Sequence, residues 1–428
     1  MEKGDSMGKT EHIYLRDDGV CYESERLAAI EWSYVAEGAD ELASELIVEY
    51  GYEKSLELLQ RNDMRLIKKY GNHRLHIQTL CAKIEKLRAD DAQKERLQAL
   101  KRLGVSVLIP SDSLWPQQMN DLGQRAPLAL WVRGKPEMVH YVLGQKNGDH
   151  MASTPPRALA LVGSRAASYR GKKIASDFAY DLASSYVIAS GGAFGIDAAA
   201  HRGALAAGGV TAIFSAAGVD RVYPASHADL YREVLDGGGL VISESPLGAT
   251  AQAHRFLLRN RLIAAYSRAT VVVEAPIRSG ALSTARAALA LGRPVGAVPA
   301  SIGDVNGVGC NELIRNGGTL IGSAQHVREL VQPIGVQLQI PECDGSRDGS
   351  EEEDIEDFFS PRPSLCGAFG QKVLDAVPKR RGVSVESIAR QLGVSVQQAR
   401  EELAKLALVG CVQCRSGRWV KACISQGS

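Results

Sequence analysis

Ser190-Gly191-Gly192-Ala193-Phe194-Gly195-Ile196-Asp197 runs on through three alanines to His201. Before it, Tyr186-Val187-Ile188-Ala189 is a short apolar run that reads as a buried strand; after it, the alanine-rich run reads as a helix. A strand that breaks into glycines and restarts as a helix leaves backbone N–H groups bare at the helix N-terminus. Glycines let an anion approach that backbone closely, and the helix dipole favours negative charge there. The stretch reads either as a phosphate-binding turn or as a tight strand-to-helix connection. Short glycine motifs do not decide between the two, and the surrounding chain does so by repeating the theme.

Working outward, Leu159-Ala160-Leu161-Val162 is a continuous apolar strand that stops at Gly163-Ser164-Arg165, and Tyr169 to Ser185 reads as a helix. Strands are expected at 186–190, 210–214, 239–243, 270–274 and 294–298, mostly separated by helical segments. Alternating β and α segments with strands apolar throughout predict an α/β fold, a doubly wound, mostly parallel sheet covered by helices on both faces. Ligands of such sheets sit beyond the carboxyl ends of the strands. There Val162 opens into Gly163-Ser164-Arg165, Ser190 opens into the glycine turn, and Val273-Glu274 opens into Pro276 and Arg278-Ser279-Gly280. A shared rim follows.

Two further stretches feed that rim. His254 to Ala264 reads as a helix on which Arg255 and Arg259 share a face, with Arg261 displaced. Its arginines, interleaved with Phe256 and Asn260, favour a binding role over a merely solvated face. Ser279 to Arg286 is a second small-residue strand-to-helix turn, able to hold a phosphate or simply to cap its helix. Asp197 and His201 stand one helical turn apart with no third ligand in view, so a hydrogen-bonded structural pair is expected rather than a metal site. No phosphate loop of the G-x-x-x-x-G-K-[ST] type occurs. Ser190 replaces the first glycine of a G-x-G-x-x-G match, and Phe214-Ser215-Ala216 offers no acid for a ribose. ATP hydrolysis and dinucleotide chemistry lose support.

The 428 residues are too many for one ordinary core, and 45% hydrophobic with 23% charged residues is an ordinary globular composition. The net charge of +1 says nothing about partners; its distribution matters more. Of eight scattered cysteines only Cys411 and Cys414 form a C-x-x-C pair, weak ground for zinc, and reduced thiols are expected. Residues 1–12 carry no signal-peptide core and no apolar run is long enough to span a membrane, so a cytoplasmic protein without membrane contact is expected. Residues 1–103 read as a helical N-terminal domain, its first 25 or so residues frayed and Lys83 to Arg102 one charged helix. Residues 104–333 hold the sheet. Residues 334–363 read as a flexible linker with an acidic run, Glu351 to Asp357. In 364–428, helices at 368–376, 385–392 and 396–408 and a hairpin over 412–420 give a winged-helix pattern, a shape that serves DNA or protein partners alike.

Taken in order, Val162 to Arg165, Ser190 to Asp197 with His201, Tyr223-Pro224, Ser243-Glu244, Phe256 to Arg261, Ser279-Gly280 through Thr284-Ala285-Arg286, and Gly292-Arg293 resemble the DNA-processing protein A (DprA/Smf) family. The resemblance covers roughly Leu103 to Val327. It implies a Rossmann-like domain that binds single-stranded DNA, dimerises, and hands the strand to the RecA recombinase during uptake of transforming DNA. It implies no catalysis, cofactor or metal. The residues it points to for DNA binding are Gly163, Ser164, Arg165, Ser190, Gly191, Gly192, Phe194, Phe256, Arg259, Asn260, Arg261, Ser279, Gly280, Thr284 and Arg286. Ala225 after Tyr-Pro, Leu257 after Phe256 and Ala300 after Pro299 depart from the family's habit and bear on affinity. A competing reading is an enzyme like the lysine-decarboxylase-like phosphoribohydrolases, whose pattern would put a carboxylate where Ala287 stands. Nucleotide sensing by the same pocket is a third.

Overall fold

The computed structural model describes residues 14–16, 19–21, 24–89, 93–135, 158–331, 368–378, 382–408, 412–415 and 418–421. The expectations for the first residues, the polar loop after Lys135, the acidic linker, Cys411 and the turn at Gly417 lie outside them. Contacts divide the chain into two units, Met1–Gln337 and Leu338–Ser428.

In the first unit, an antiparallel pair β1 (Tyr14–Arg16) and β2 (Gly19–Cys21) precedes, among the described residues, six α-helices and a short 3-10 segment (Gly71–His73). The α-helices are α1 (Ser24–Val35), α2 (Glu41–Tyr50), α3 (Tyr52–Gln60), α4 (Met64–Lys69), α5 (Arg74–Ala89) and α6 (Gln93–Leu103). Asp40 and Asp63 cap α2 and α4 by accepting the N–H of Ala43 and of Arg65. The charged helix expected over Lys83 to Arg102 is described as α5 up to Ala89 and as α6 from Gln93, and residues 90–92 lie outside the described residues; Ile84 and Leu100 are both fully buried.

The sheet follows: β3 (Val105–Leu108), a 3-10 segment (Gln117–Arg125) and β4 (Leu130–Arg133), then β5 (Ala158–Gly163), α7 (Tyr169–Leu182), β6 (Val187–Ser190), α8 (Ile196–Ala206), β7 (Thr211–Phe214), α9 (Ala228–Asp236), β8 (Leu240–Ser243), α10 (Ala253–Tyr266), β9 (Ala269–Glu274), α11 (Gly280–Ala290), β10 (Val295–Ala297), α12 (Val308–Arg315), β11 (Thr319–Leu320) and α13 (Ala324–Leu330). The nine strands lie in the order β11-β10-β9-β5-β6-β7-β8-β4-β3. From β11 to β8 every pair is parallel, while β4 runs antiparallel to β8 and β3 antiparallel to β4. After β5 the chain winds one way to β8, then returns to β5's other side at β9. The winding reverses between β5 and β9, which makes their carboxyl ends the place for a ligand.

Alternate residues of β5 face opposite layers. Ala160 and Val162 pack with Leu262 and Ile263 of α10 and Ala285 of α11. Leu159 and Leu161 pack with Ala175 and Phe178 of α7 and Ala200 of α8. The N-terminal helices add to the core: Trp32, Leu46 and Leu56 share one cluster with Trp131 of β4, Ile213 of β7 and Val241 of β8. Among the described residues no helix is long and apolar enough to cross a membrane.

The second unit contains α14 (Ala368–Asp375), α15 (Val385–Leu392), α16 (Val396–Leu408) and the antiparallel pair β12 (Val412–Arg415) and β13 (Arg418–Lys421). Its own core joins Val373, Ile388, Leu403, Leu406 and Val412. Gly393, at φ 66°, ends α15 with the left-handed residue that a sharp turn into α16 needs.

Candidate nucleic-acid interface

At the reversal point a cleft of about 540 Å³ opens, lined by Gly163, Ser164 and Arg165 after β5, by Phe256, Arg259 and Asn260 of α10, and by Arg278, Ser279, Gly280 and Thr284 after β9. The backbone fixes its shape. The Ser164 N–H donates to the Glu274 carbonyl at 2.7 Å, and the Ile196 N–H donates to the Ser164 carbonyl at 3.2 Å. Gly195 is left-handed at φ 79°, and a Cβ there would overlap the Ser164 carbonyl. A side chain at this position would separate the two turns, which is why the glycine is needed.

Beneath the glycine turn lies a buried charged floor. The Arg259 guanidinium donates from Nη1 to the Phe214 carbonyl at 2.5 Å and lies so close under Gly191 that a Cβ there would overlap it. Its Nε has no partner among the described residues. Asp197 accepts the Ala193 N–H at 3.3 Å. Burial raises the Asp197 carboxyl and lowers the Arg259 guanidinium, and the attraction between the two opposes both shifts. Asp197 and His201 do not form the expected pair. His201 Nδ1 instead meets Thr211 Oγ1 at 2.7 Å, and that hydroxyl donates to the Ile188 carbonyl, so the imidazole is the donor to Thr211. Thr211 of β7 supplies the acceptor, and Asp197 takes the Ala193 N–H instead.

At the mouth, the Arg165 guanidinium lies 4.6 Å from the centre of the Phe256 ring and Arg259 lies 5.9 Å from it. Tyr223 packs on Phe256 at 5.2 Å between centroids and stays 46% exposed. Asn260 donates to the Gly280 carbonyl at 3.2 Å, tying α10 to the second turn. Ser279 Oγ accepts the Ala281 N–H and caps α11.

Four expected residues take other places. Arg261 faces away from the cleft: it grips Glu244 through two hydrogen bonds of 2.7 and 2.6 Å and donates to the Arg125 and Leu258 carbonyls. With its donors thus occupied and its side chain buried, it joins α10 to the end of β8. Ser190 is fully buried and its hydroxyl donates to the Leu161 carbonyl, so it joins β6 to β5. Arg286 is exposed on α11 outside the cleft lining. Phe194 is half exposed and sets its edge on His227, whose Nδ1 donates to the Gly192 carbonyl. Gly192, at φ 68°, has Ile213 and Tyr231 packed against it, and with Gly191 it shapes the turn. Arg278 and Tyr223 were not among the expected contacts. Arg278's place in the turn after β9 was a usable signal; Tyr223's packing on Phe256 was not.

These features define an α/β protein whose mostly parallel sheet carries an arginine-lined cleft at its reversal point. Residues 106–332 match the family model described as DNA recombination-mediator protein A. The chain is 37% identical over 344 residues to a putative DNA processing protein DprA of Mycobacterium tuberculosis, a match covering 77% of this chain and 80% of that one. It is 33% identical over 316 residues to protein Smf of Escherichia coli, covering 73% and 77%. The X-ray structure of DNA processing protein A from Streptococcus pneumoniae is similar with a TM-score of 0.57 at 26% identity, covering 72% of this chain and 98% of that one. The chain belongs to the DNA recombination-mediator protein A (DprA/Smf) family.

Proposed function

We propose that this protein binds single-stranded DNA without catalysis, protects incoming DNA, and loads the RecA recombinase onto it during natural transformation and recombination, as a cytoplasmic homodimer. Membership of a DNA-processing family supports the setting, and the observation that carries the binding is the stack at the cleft mouth. Arg165 over Phe256, with Tyr223 beside it, offers a flat cationic face to a base and leaves guanidinium edges for a phosphate. The backbone N–H groups of the two turns suit phosphates, and buried Arg259 adds positive charge behind them. Such contacts track a backbone without reading sequence. In this reading residues 1–103 support the binding domain of 104–333, the linker of 334–363 tethers the last module, and 364–428 acts as a winged helix.

The test is Arg165→Ala in a binding titration on single- and double-stranded oligonucleotides across a salt series. Affinity should fall similarly for different sequences, and the salt slope should flatten by about 0.7 for one lost phosphate contact. Wild-type affinity and slope would refute the cleft as the binding site. Hydrolysis of nucleoside monophosphates by the wild-type protein would refute the non-catalytic reading.

A further inference from the structure

α7 starts four residues beyond Arg165 and carries its charges against its own dipole. A helix N-terminus is positive and is stabilised by acids; its C-terminus is stabilised by bases. Yet α7 has no acid in its first turn and no base in its last. Arg170, Lys172 and Lys173 crowd the positive end, whereas Asp177 and Asp181 lie toward the negative end. On the inner side the buried Glu274 carboxylate meets the N-cap Ser168 and answers the dipole there, while Arg170 and Lys172 are exposed on the outer side. An anion on the outer side of the first turns would be attracted by Arg170 and Lys172.

The outer face of α7 supplies the rest of a site. The helix buries Gly171, Ala175, Phe178, Ala179 and Leu182. At about 100° per residue, Tyr169, Lys173 and Tyr180 fall together on the opposite face, with the exposed Lys172 and Arg170 flanking Tyr169 on either side. Tyr169 is 85% exposed and Tyr180 54%. Asp177 borders this stripe and is held by Lys173 at 2.9 Å. Glu274, the carboxylate nearest the start of the helix, is buried and accepts the Ser168 N–H at 2.9 Å and its hydroxyl at 2.5 Å. Lys172 and Arg170 are exposed and have no ion-pair partner among the described residues. Exposed aromatic rings interleaved with free cations form a sequence-tolerant track for single strands.

We propose that a bound single strand continues out of the cleft past Arg165 onto this face of α7, stacking a base on Tyr169 and placing phosphates by Arg170 and Lys172, with Tyr180 about 16 Å further along. The inference rests on the single-strand reading of the cleft and extends it. Tyr169 and Lys172 are surface residues that pack against nothing in the core, so their variants fold as the parent does.

The experiment titrates a homothymidine series, from strands that fill only the cleft to longer ones, against full-length Tyr169→Ala, Lys172→Ala and Arg165→Ala. The α7 variants should bind the shortest strands like the parent. On long strands Tyr169→Ala should lose about five- to a hundredfold in affinity, and Lys172→Ala should flatten the salt slope by about 0.7. In Tyr169→Trp, long strands should quench the new fluorescence and the shortest should not. Parental affinity of both α7 variants at every length, while Arg165→Ala binds poorly, overturns the extension and leaves the cleft in place. Parental binding by Arg165→Ala as well overturns the cleft reading itself.

Discussion

His201 shows how much a single residue's meaning depends on what surrounds it. One turn after Asp197 it reads in sequence as half of a pair. In the structure it is fully buried, donates to Thr211, and has an Nε2 without a partner among the described residues. Burial, aided by the positive charge of Arg259, pushes its pKa down to about 3. An unfolded histidine takes up a proton near pH 6.5, so between those values the unfolded chain binds the proton and the folded one does not. The contribution is complete above about pH 6.5 and is lost as pH falls, at about 1.4 kcal/mol per pH unit. His201→Asn keeps a donor for Thr211 but does not titrate. Thermal melts should show the parent more stable than this variant at pH 7, with the gap closing by about 2 kcal/mol at pH 5. A gap independent of pH would mean that His201 is not held neutral.

Among the elements, the β/α alternation was legible because strands buried on both faces read as unbroken apolar runs, as in Leu159 to Val162 and Val271 to Val273. The two turns that meet at the cleft were legible for the same reason. The division of labour along α10 was not. Arg259 and Arg261 look alike in sequence, but they point about 200° apart on a helix, so only one can face the cleft. Which one does is set by Glu244, whose pairing with Arg261 is a long-range contact. Arg255 is a similar case. Glu37, just past α1, accepts from its Nε and Nη2 at 2.9 and 2.6 Å and lies 3.5 Å from His254. A carboxylate thus occupies the Arg255 guanidinium at the start of the helix that bears Phe256. Glu37→Gln should release Arg255 and remove a negative charge beside the path, while an exposed pair of this kind contributes at most about 1 kcal/mol to folding. Single-strand binding should tighten a few-fold at low salt and approach the parent where the Debye length is about 8 Å. Unchanged binding at low salt would place the start of α10 off the path.

For the whole molecule, the sequence reads as an N-terminal helical segment set apart from the sheet, and it did not reveal that the N-terminal helices and the sheet share core residues. Trp32 and Trp131 belong to one cluster, and a Cβ on Gly38 would overlap the Glu244 carboxylate. Such packing joins residues far apart in sequence and leaves no local periodicity. The acidic run is the opposite case, legible from composition alone: Glu351 to Asp357 holds six acids in seven positions. A tethered acidic run would compete with weakly bound nucleic acid for an arginine-lined cleft, whereas a solvated spacer would not, and removing the run tells the two apart. A chain ending at Pro333 keeps every described element of the first unit, since α13 ends at Leu330. The truncated protein is therefore expected to retain single-strand binding and, if the run competes, to bind more tightly than the full chain at low salt. Added salt should erase the difference, because competition between charges is screened beyond about 8 Å at physiological ionic strength. Equal binding at low salt would reduce the acidic run to a spacer. A folded truncation that does not bind would transfer the DNA contact from the cleft to the module of α14 to β13.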